Sequence, residues 1–338
     1  MSIQELVNMR TWVSEQFGTG KKKSMPVLSF PCISLMDISV KQLVADSALQ
    51  AKGMKLVADR CPTAASVSMM DLSVEAEAFG CTIDISDDEV PAVIGRLLND
   101  EDDARALKVP PVGTGRTENY INAIREVKTL ITDRPVFAGV IGPFSLSGRL
   151  MEMCEIMVNC YEEPDMVKIT MEKATEYLIN YIQAYKEAGA DGVVMAEPAA
   201  GLLSPALCEE FSSFYVKQIV DAVRTDDFVF IYHNCGNTIP LVDSLLGFKA
   251  DAYHLGNAID IEEFLKKVPS DVLVMGNLDP ANLFRLGTPE SMREATLELL
   301  GRCGKYPNFA ISSGCDIPPL TPWANIDAFF AAIDEFYK

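Results

Sequence analysis

Histidine is scarce in this chain: two residues, His233 and His254, among 338. Most imidazole-based arrangements are therefore excluded, and each of the two merits attention. Excess positive charge is also missing. Twenty-nine lysines and arginines stand against 48 aspartates and glutamates, a formal net charge of −19. That balance argues against binding nucleic acid or an anionic membrane surface. No apolar run approaches membrane-spanning length. The opening MSIQELVNMRTWVSEQ has the pattern of an amphipathic helix and not of a signal peptide. No glycine-rich dinucleotide fingerprint follows the first apolar segment. The loop Gly18–Lys23 (GTGKKK) lacks the order of a phosphate-binding loop. Nine cysteines, an odd number scattered through a long chain, suggest reduced thiols and a cytoplasmic protein.

What the chain does have is alternation. Apolar, strand-like segments lie near 27–36, 65–70, 135–141, 191–196, 228–233, 250–255, 271–276 and 308–313. Helical patterns separate them, including 86–104, 117–132, 145–162, 164–188 and 204–224. Eight strands alternating with helices predict a closed (β/α)8 TIM barrel with an N-terminal helical extension, built as one domain over 1–338. Hydrophobic residues make up 49% of the sequence, enough for the large core such a barrel needs.

Barrel chemistry sits at the C-terminal ends of the strands. The segment Phe228–Thr238 (FVFIYHNCGNT) reads as a buried strand that ends in His233 and Cys235. Side chains two apart on a strand share a face, so imidazole and thiol emerge together as half of a zinc site. Cys315, at the end of the last strand in ISSGCDIPP, is the candidate third ligand. A His-X-Cys pair alone is also compatible with a buried thiol and a hydrogen-bonded core histidine. His254 lies one place too far inside its strand for a ligand and reads as a core residue. Glu197, in AEP, is the candidate catalytic carboxylate, either a fourth ligand that steps aside for substrate or a group hydrogen-bonded to a ligand, with a helix-capping or loop carboxylate as its other reading. Asn257, Asn277, Asp279, Tyr232 and Met195 are candidate substrate-binding residues, although the Asp279–Pro280 pair also suits a turn. Phe30, Met36 and Phe144, with Met195 and Tyr232, are placed to form an apolar slot at the same rim.

With these positions in place, the chain resembles the uroporphyrinogen decarboxylase superfamily, and more closely its zinc-dependent corrinoid methyltransferases. MDLSVEAEAFGC (Met70–Cys81), GADGVVMAEP (Gly189–Pro198), HNCG (His233–Gly236), GNLDP (Gly276–Pro280) and SGCDIPPLTPWANI (Ser313–Ile326) carry the resemblance. It implies Zn2+ held by His233, Cys235 and Cys315. The decarboxylases' arginine-rich N-terminal motif is absent, since Ser29–Asp37 reads SFPCISLMD. Where thiol-using members resemble one another in an SVEE-like motif, this chain reads HLGNAIDIEE from His254. The resemblance therefore implies cleavage of a methyl ether, such as a methoxyarene, with transfer to cob(I)alamin. Methyl transfer from a corrinoid to a thiol is the alternative, and a non-catalytic zinc scaffold a more distant one. The chain has no Asp-X-His-X-X-Gly motif for gripping a corrinoid, because Asp251 stands three residues before His254. The corrinoid (cobalamin) is accordingly expected on a partner protein.

Overall fold

A computed structural model describes residues 8–338. The first half of the expected N-terminal helix, residues 1–7, lies outside them; Met9–Glu15 is helical. Among the described residues nine strands occur in chain order: β1 (Ser66–Val67), β2 (Thr82–Asp84), β3 (Ala92–Ile94), β4 (Val136–Ile141), β5 (Gly192–Ala196), β6 (Val229–Asn234), β7 (Ala252–Leu255), β8 (Leu273–Leu278) and β9 (Phe309–Ser313). Seven of them form one parallel sheet in the order β1-β4-β5-β6-β7-β8-β9, and β2 with β3 makes a separate antiparallel hairpin. Helices connect successive strands of the large sheet, as the alternation predicts.

Two expectations need correction. The segment 27–36, expected as the first of eight strands, forms none, and the sheet of the described residues has seven strands in place of the expected closed ring of eight. Pro26 and Pro31 have no N–H to donate to a ladder, and the chain turns into the helix Cys32–Met36. The preceding residues run beside β9 with only scattered bonds: Met25 N to Ile311 O at 3.2 Å and Val27 N to Ser313 Oγ at 3.0 Å. At the other edge Ala64 N donates to Ser24 O at 2.8 Å, just before β1. The second correction concerns 86–104, where a helix was expected. Pro91 and the polar Asp87–Asp88 pair break it, β3 follows, and only Glu101–Ala106 is helical.

The sheet is curled, and its strand residues alternate between two cores. Val194, Ala196, Ile231, Ala252, Met275 and Ala310 pack together on the concave side. Met9 and Trp12 of the first helix join them, with Trp12 edge-on to Phe137 at 5.0 Å between ring centroids. Val193, Met195, Phe230, Tyr232, Tyr253 and Ile311 belong to the larger core beneath the helices. Among the described residues, no helix is long and apolar enough to cross a membrane.

The stretch Met70–Cys81 anchors the chain beside β1. Asp71 is buried and bonded to Arg116, and it accepts the Tyr120 hydroxyl at 2.8 Å. Arg116 also reaches Ser73 Oγ (2.8 Å) and Glu77 (2.6 Å). Glu75 accepts from Ile141 N at 3.0 Å, and burial pushes its carboxyl up to about 7.

Candidate metal centre

Register decides which side chains meet. Ala196, His233 and His254 are lateral neighbours on β5, β6 and β7. Because Ile231 faces the concave core, His233 does so as well, one residue pair nearer the C-terminal rim. Cys235 lies just beyond β6, and Cys315 two residues beyond β9. The donor atoms of His233, Cys235 and Cys315 all lie within 4.8 Å of one another. Among the described residues no fourth histidine, cysteine or carboxylate joins this group. His233 is buried, while both cysteines are partly accessible. The two thiols interact. A hydrogen bond from Cys235 lowers the pKa of Cys315, and the same bond, with burial, pushes Cys235 up to about 12.

The imidazole of His233 is fixed from behind. Its Nδ1 lies 3.1 Å from the His254 carbonyl and 2.8 Å from His254 Nδ1. His254 Nε2 is 2.7 Å from Ser312 Oγ, whose hydroxyl donates to Met25 O at 2.7 Å. With the serine proton committed to Met25, Ser312 accepts from His254 Nε2–H. The Nδ1 lone pair of His254 then accepts from His233 Nδ1–H, which leaves His233 Nε2 with a free lone pair. Burial, reinforced by His233, holds His254 neutral. The core reading of His254 stands, but the residue also orients a member of the trio.

Asn234 was not singled out by sequence and holds the strand ends together. Its Nδ2 donates to Glu197 O at 2.7 Å, and its Oδ1 accepts from Gly236 N at 2.8 Å. Gly256 allows β7 to approach Cys235. A Cβ there would sit 2.4 Å from Cys235 Cα and 2.9 Å from its carbonyl oxygen. Gly256→Ala is therefore expected to displace Cys235 and cost about 1–3 kcal/mol. A lower urea midpoint would show this, and an unchanged midpoint would contradict the close approach.

The other candidates are placed differently. Glu197 is fully buried and does not join the trio; its carboxylate accepts from Phe144 N (3.1 Å), Ser145 N (2.6 Å) and Ser145 Oγ (2.8 Å). It caps the helix Pro143–Met151, and burial pushes its carboxyl up to about 7. Met195 and Tyr232 face the helices and not the rim: Tyr232 packs on Phe248 and Tyr253. Phe30 and Phe144 are likewise core residues, and Met36 packs against that core. Asn277 closes a loop by donating to Gly256 O and Ile259 O, both at 3.0 Å. Asp279 caps a turn, accepting from Ala281 N and Asn282 N at 2.8 Å. Asn257 is the exception. It is exposed, and its Oδ1 lies 2.9 Å from where a Cβ on Gly314 would stand, beside Cys315.

Comparison with known proteins gives the chain's family. A methylcobamide:CoM methyltransferase, MtbA, of Methanosarcina acetivorans is 28% identical over 260 residues, covering 76% of this chain and 75% of that protein. A uroporphyrinogen decarboxylase of Coxiella burnetii is 28% identical over 290 residues, covering 82% and 78%. The solved structure of a methyltransferase from Methanosarcina mazei superposes with a TM-score of 0.85 at 23% identity, covering 98% of this chain and 99% of that one. The sequence pattern of the uroporphyrinogen decarboxylase (URO-D) family matches residues 32–336, and the chain belongs to that family.

Proposed function

We propose that this protein is a zinc-dependent methyltransferase that cleaves a methyl ether and passes the methyl group to a corrinoid carried by a partner protein. The observation that carries the reading is the trio of His233, Cys235 and Cys315, which no fourth described residue completes. Two thiols and an imidazole are a donor set suited to zinc, and bonds of about 2.0–2.3 Å to one ion are within reach of atoms this close. Structural zinc is normally closed by four protein ligands, whereas an open position leaves room for substrate. When bound, Zn2+ supplies a Lewis acid for an ether oxygen or a carrier for a thiolate. The chain's own contribution is orientation. The row Met25, Ser312, His254 and His233 fixes one imidazole tautomer, and Asn234 and Gly256 hold the backbone around Cys235.

In the ether reaction the methyl carbon–oxygen bond breaks while cobalt(I) supplies both electrons of the new carbon–cobalt bond. The old bonding pair stays on oxygen, and the phenolate takes a proton to leave as phenol. The kinship with a methylcobamide:CoM methyltransferase, and two thiol donors that weaken Lewis acidity, favour a second reading: transfer from methyl-corrinoid to a thiol. The net charge of −19 would steer the protein towards a partner with a basic face in either case.

Cobalt spectroscopy separates the readings. The protein is mixed with a reduced corrinoid protein and a methoxyarene. Methyl-cobalt and free phenol are expected to appear in equal amounts, and neither with His233→Ala. Consumption of methyl-cobalt only when a thiol is supplied would overturn the ether reading.

A further inference from the structure

The row of hydrogen bonds behind His233 has two possible directions, and they are not equivalent for the donor trio. His233, His254 and Ser312 are all buried, so no solvent is at hand to replace a lost partner. In one direction Ser312 donates to Met25 O, His254 donates from Nε2 to Ser312, and His233 donates from Nδ1 to His254. In the other, each proton changes sides. Ser312 then donates to His254 Nε2, His254 donates from Nδ1 to His233, and His233 carries its proton on Nε2. The number of protons is the same both ways, so no change of charge separates them.

Only the first direction leaves His233 able to hold an ion. A ring nitrogen binds a metal through its lone pair, and an Nε2–H has none to give. With Nδ1 taken up by His254, Nε2 is the nitrogen turned to Cys235. Two carbonyls decide between the directions. His254 O lies 3.1 Å from His233 Nδ1, a contact that needs a proton on that nitrogen. Met25 O, 2.7 Å from Ser312 Oγ, needs the serine proton at the far end of the row. Reversal would set one carbonyl against a lone pair and take the Ser312 donor from the other.

Met25 belongs to none of the described strands. It lies in the stretch beside β9, where the first of eight strands was expected. Met25 N donates to Ile311 O, Val27 N to Ser313 Oγ, and Ile317 N to Val27 O at 3.0 Å. The segment that lies against the open edge of the sheet therefore also supplies the acceptor on which the metal-binding nitrogen depends.

We propose that Ser312 is a positioning residue of the metal centre: anchored on Met25, it sets the direction of the proton row and so reserves Nε2 of His233 for the ion. This rests on the trio as the metal centre and is independent of whether the methyl donor is an ether or a methyl-corrinoid.

The scarcity of histidine makes the row directly observable, since the chain holds only two imidazoles. Protein labelled with 15N in histidine is studied without metal by two-bond 1H–15N correlation. His233 is expected to show a protonated Nδ1 and a pyridine-like Nε2, and His254 the reverse. Ser312→Ala removes the group that separates the two directions, and a fraction of His233 is expected to move its proton to Nε2. Zinc affinity, read by competition with a chromophoric chelator, should fall about 10–100-fold. Ser312→Thr keeps the hydroxyl and should restore both readouts. A residue that served the fold alone would shift the thermal melt of the metal-free protein and leave the tautomers as they are. A protonated Nε2 on His233 in the natural protein overturns the proposal. So does a Ser312→Ala variant that keeps either the natural tautomers or the natural zinc affinity. If the natural protein shows the expected tautomers but binds no zinc, the metal centre fails and the proposal falls with it. If zinc binds and the row runs the other way, the proposal alone fails.

Discussion

Replacing Cys315 with alanine is expected to strip most of the zinc from the protein while leaving its unfolding transition almost unchanged. The two outcomes separate because site and core are held by different residues. Cys315 lies two residues beyond β9, partly accessible, whereas β9 itself is secured by Phe309, Ala310 and Ile311 in the two cores. With three protein donors, loss of one leaves only His233 and Cys235 to hold the ion. Loss of a residue that merely orients a ligand typically weakens metal binding about 10–100-fold, so loss of a direct ligand should exceed about 100-fold. Metal content after gel filtration, set against a thermal melt of the same sample, reads both. Full zinc occupancy in Cys315→Ala would refute the ligand assignment. Loss of metal together with collapse of the fold would instead make the ion a structural staple.

The parts of this site that were legible in the sequence are those governed by strand periodicity. His233 and Cys235 stand two apart at the end of an apolar run, and the fold brings Cys315 to them from about 80 residues away. The same periodicity argues against two other candidates. Tyr232 is adjacent to inward-facing His233 and so points to the helices, and Met195, its register partner on β5, follows it. Glu197 was ambiguous because the choice between a rim carboxylate and a helix cap depends on where the helix Pro143–Met151 begins in space. Asn234 gave no periodic signal, because it works through bonds to backbone atoms of Glu197, just beyond β5, and of Gly236. The missing strand has a similar cause. An apolar stretch reads as a strand until its prolines are charged with the absent N–H groups, and Pro26 and Pro31 both fall within or beside it.

Glu197 yields the second large effect, on stability and with a distinctive pH dependence. Its carboxylate is the acceptor for Phe144 N, Ser145 N and Ser145 Oγ, all buried. Glu197→Ala is expected to cost roughly 3 kcal/mol or more, at ~1 kcal/mol for each stranded donor. Glu197→Gln tests the charge itself. Burial raises the folded-state pKa from 4.5 to about 7, against the opposing pull of the three donors. Between those two values the folded protein binds more protons than the unfolded chain. The stabilisation from protonating Glu197 is therefore complete below the unfolded pKa and is lost as pH rises through the folded one. The natural protein should gain on Glu197→Gln as pH falls from about 8 to about 4, by up to about 3 kcal/mol. Other titrating groups are common to both proteins and cancel in the difference, Glu75 among them. Denaturant unfolding of the pair across this pH range measures the difference directly. If it stays flat, the folded-state pKa equals that of the unfolded chain, and the donors at the start of the helix offset burial. If it slopes the other way, the folded-state pKa lies below that of the unfolded chain, and Glu197 is a conventional charged helix cap.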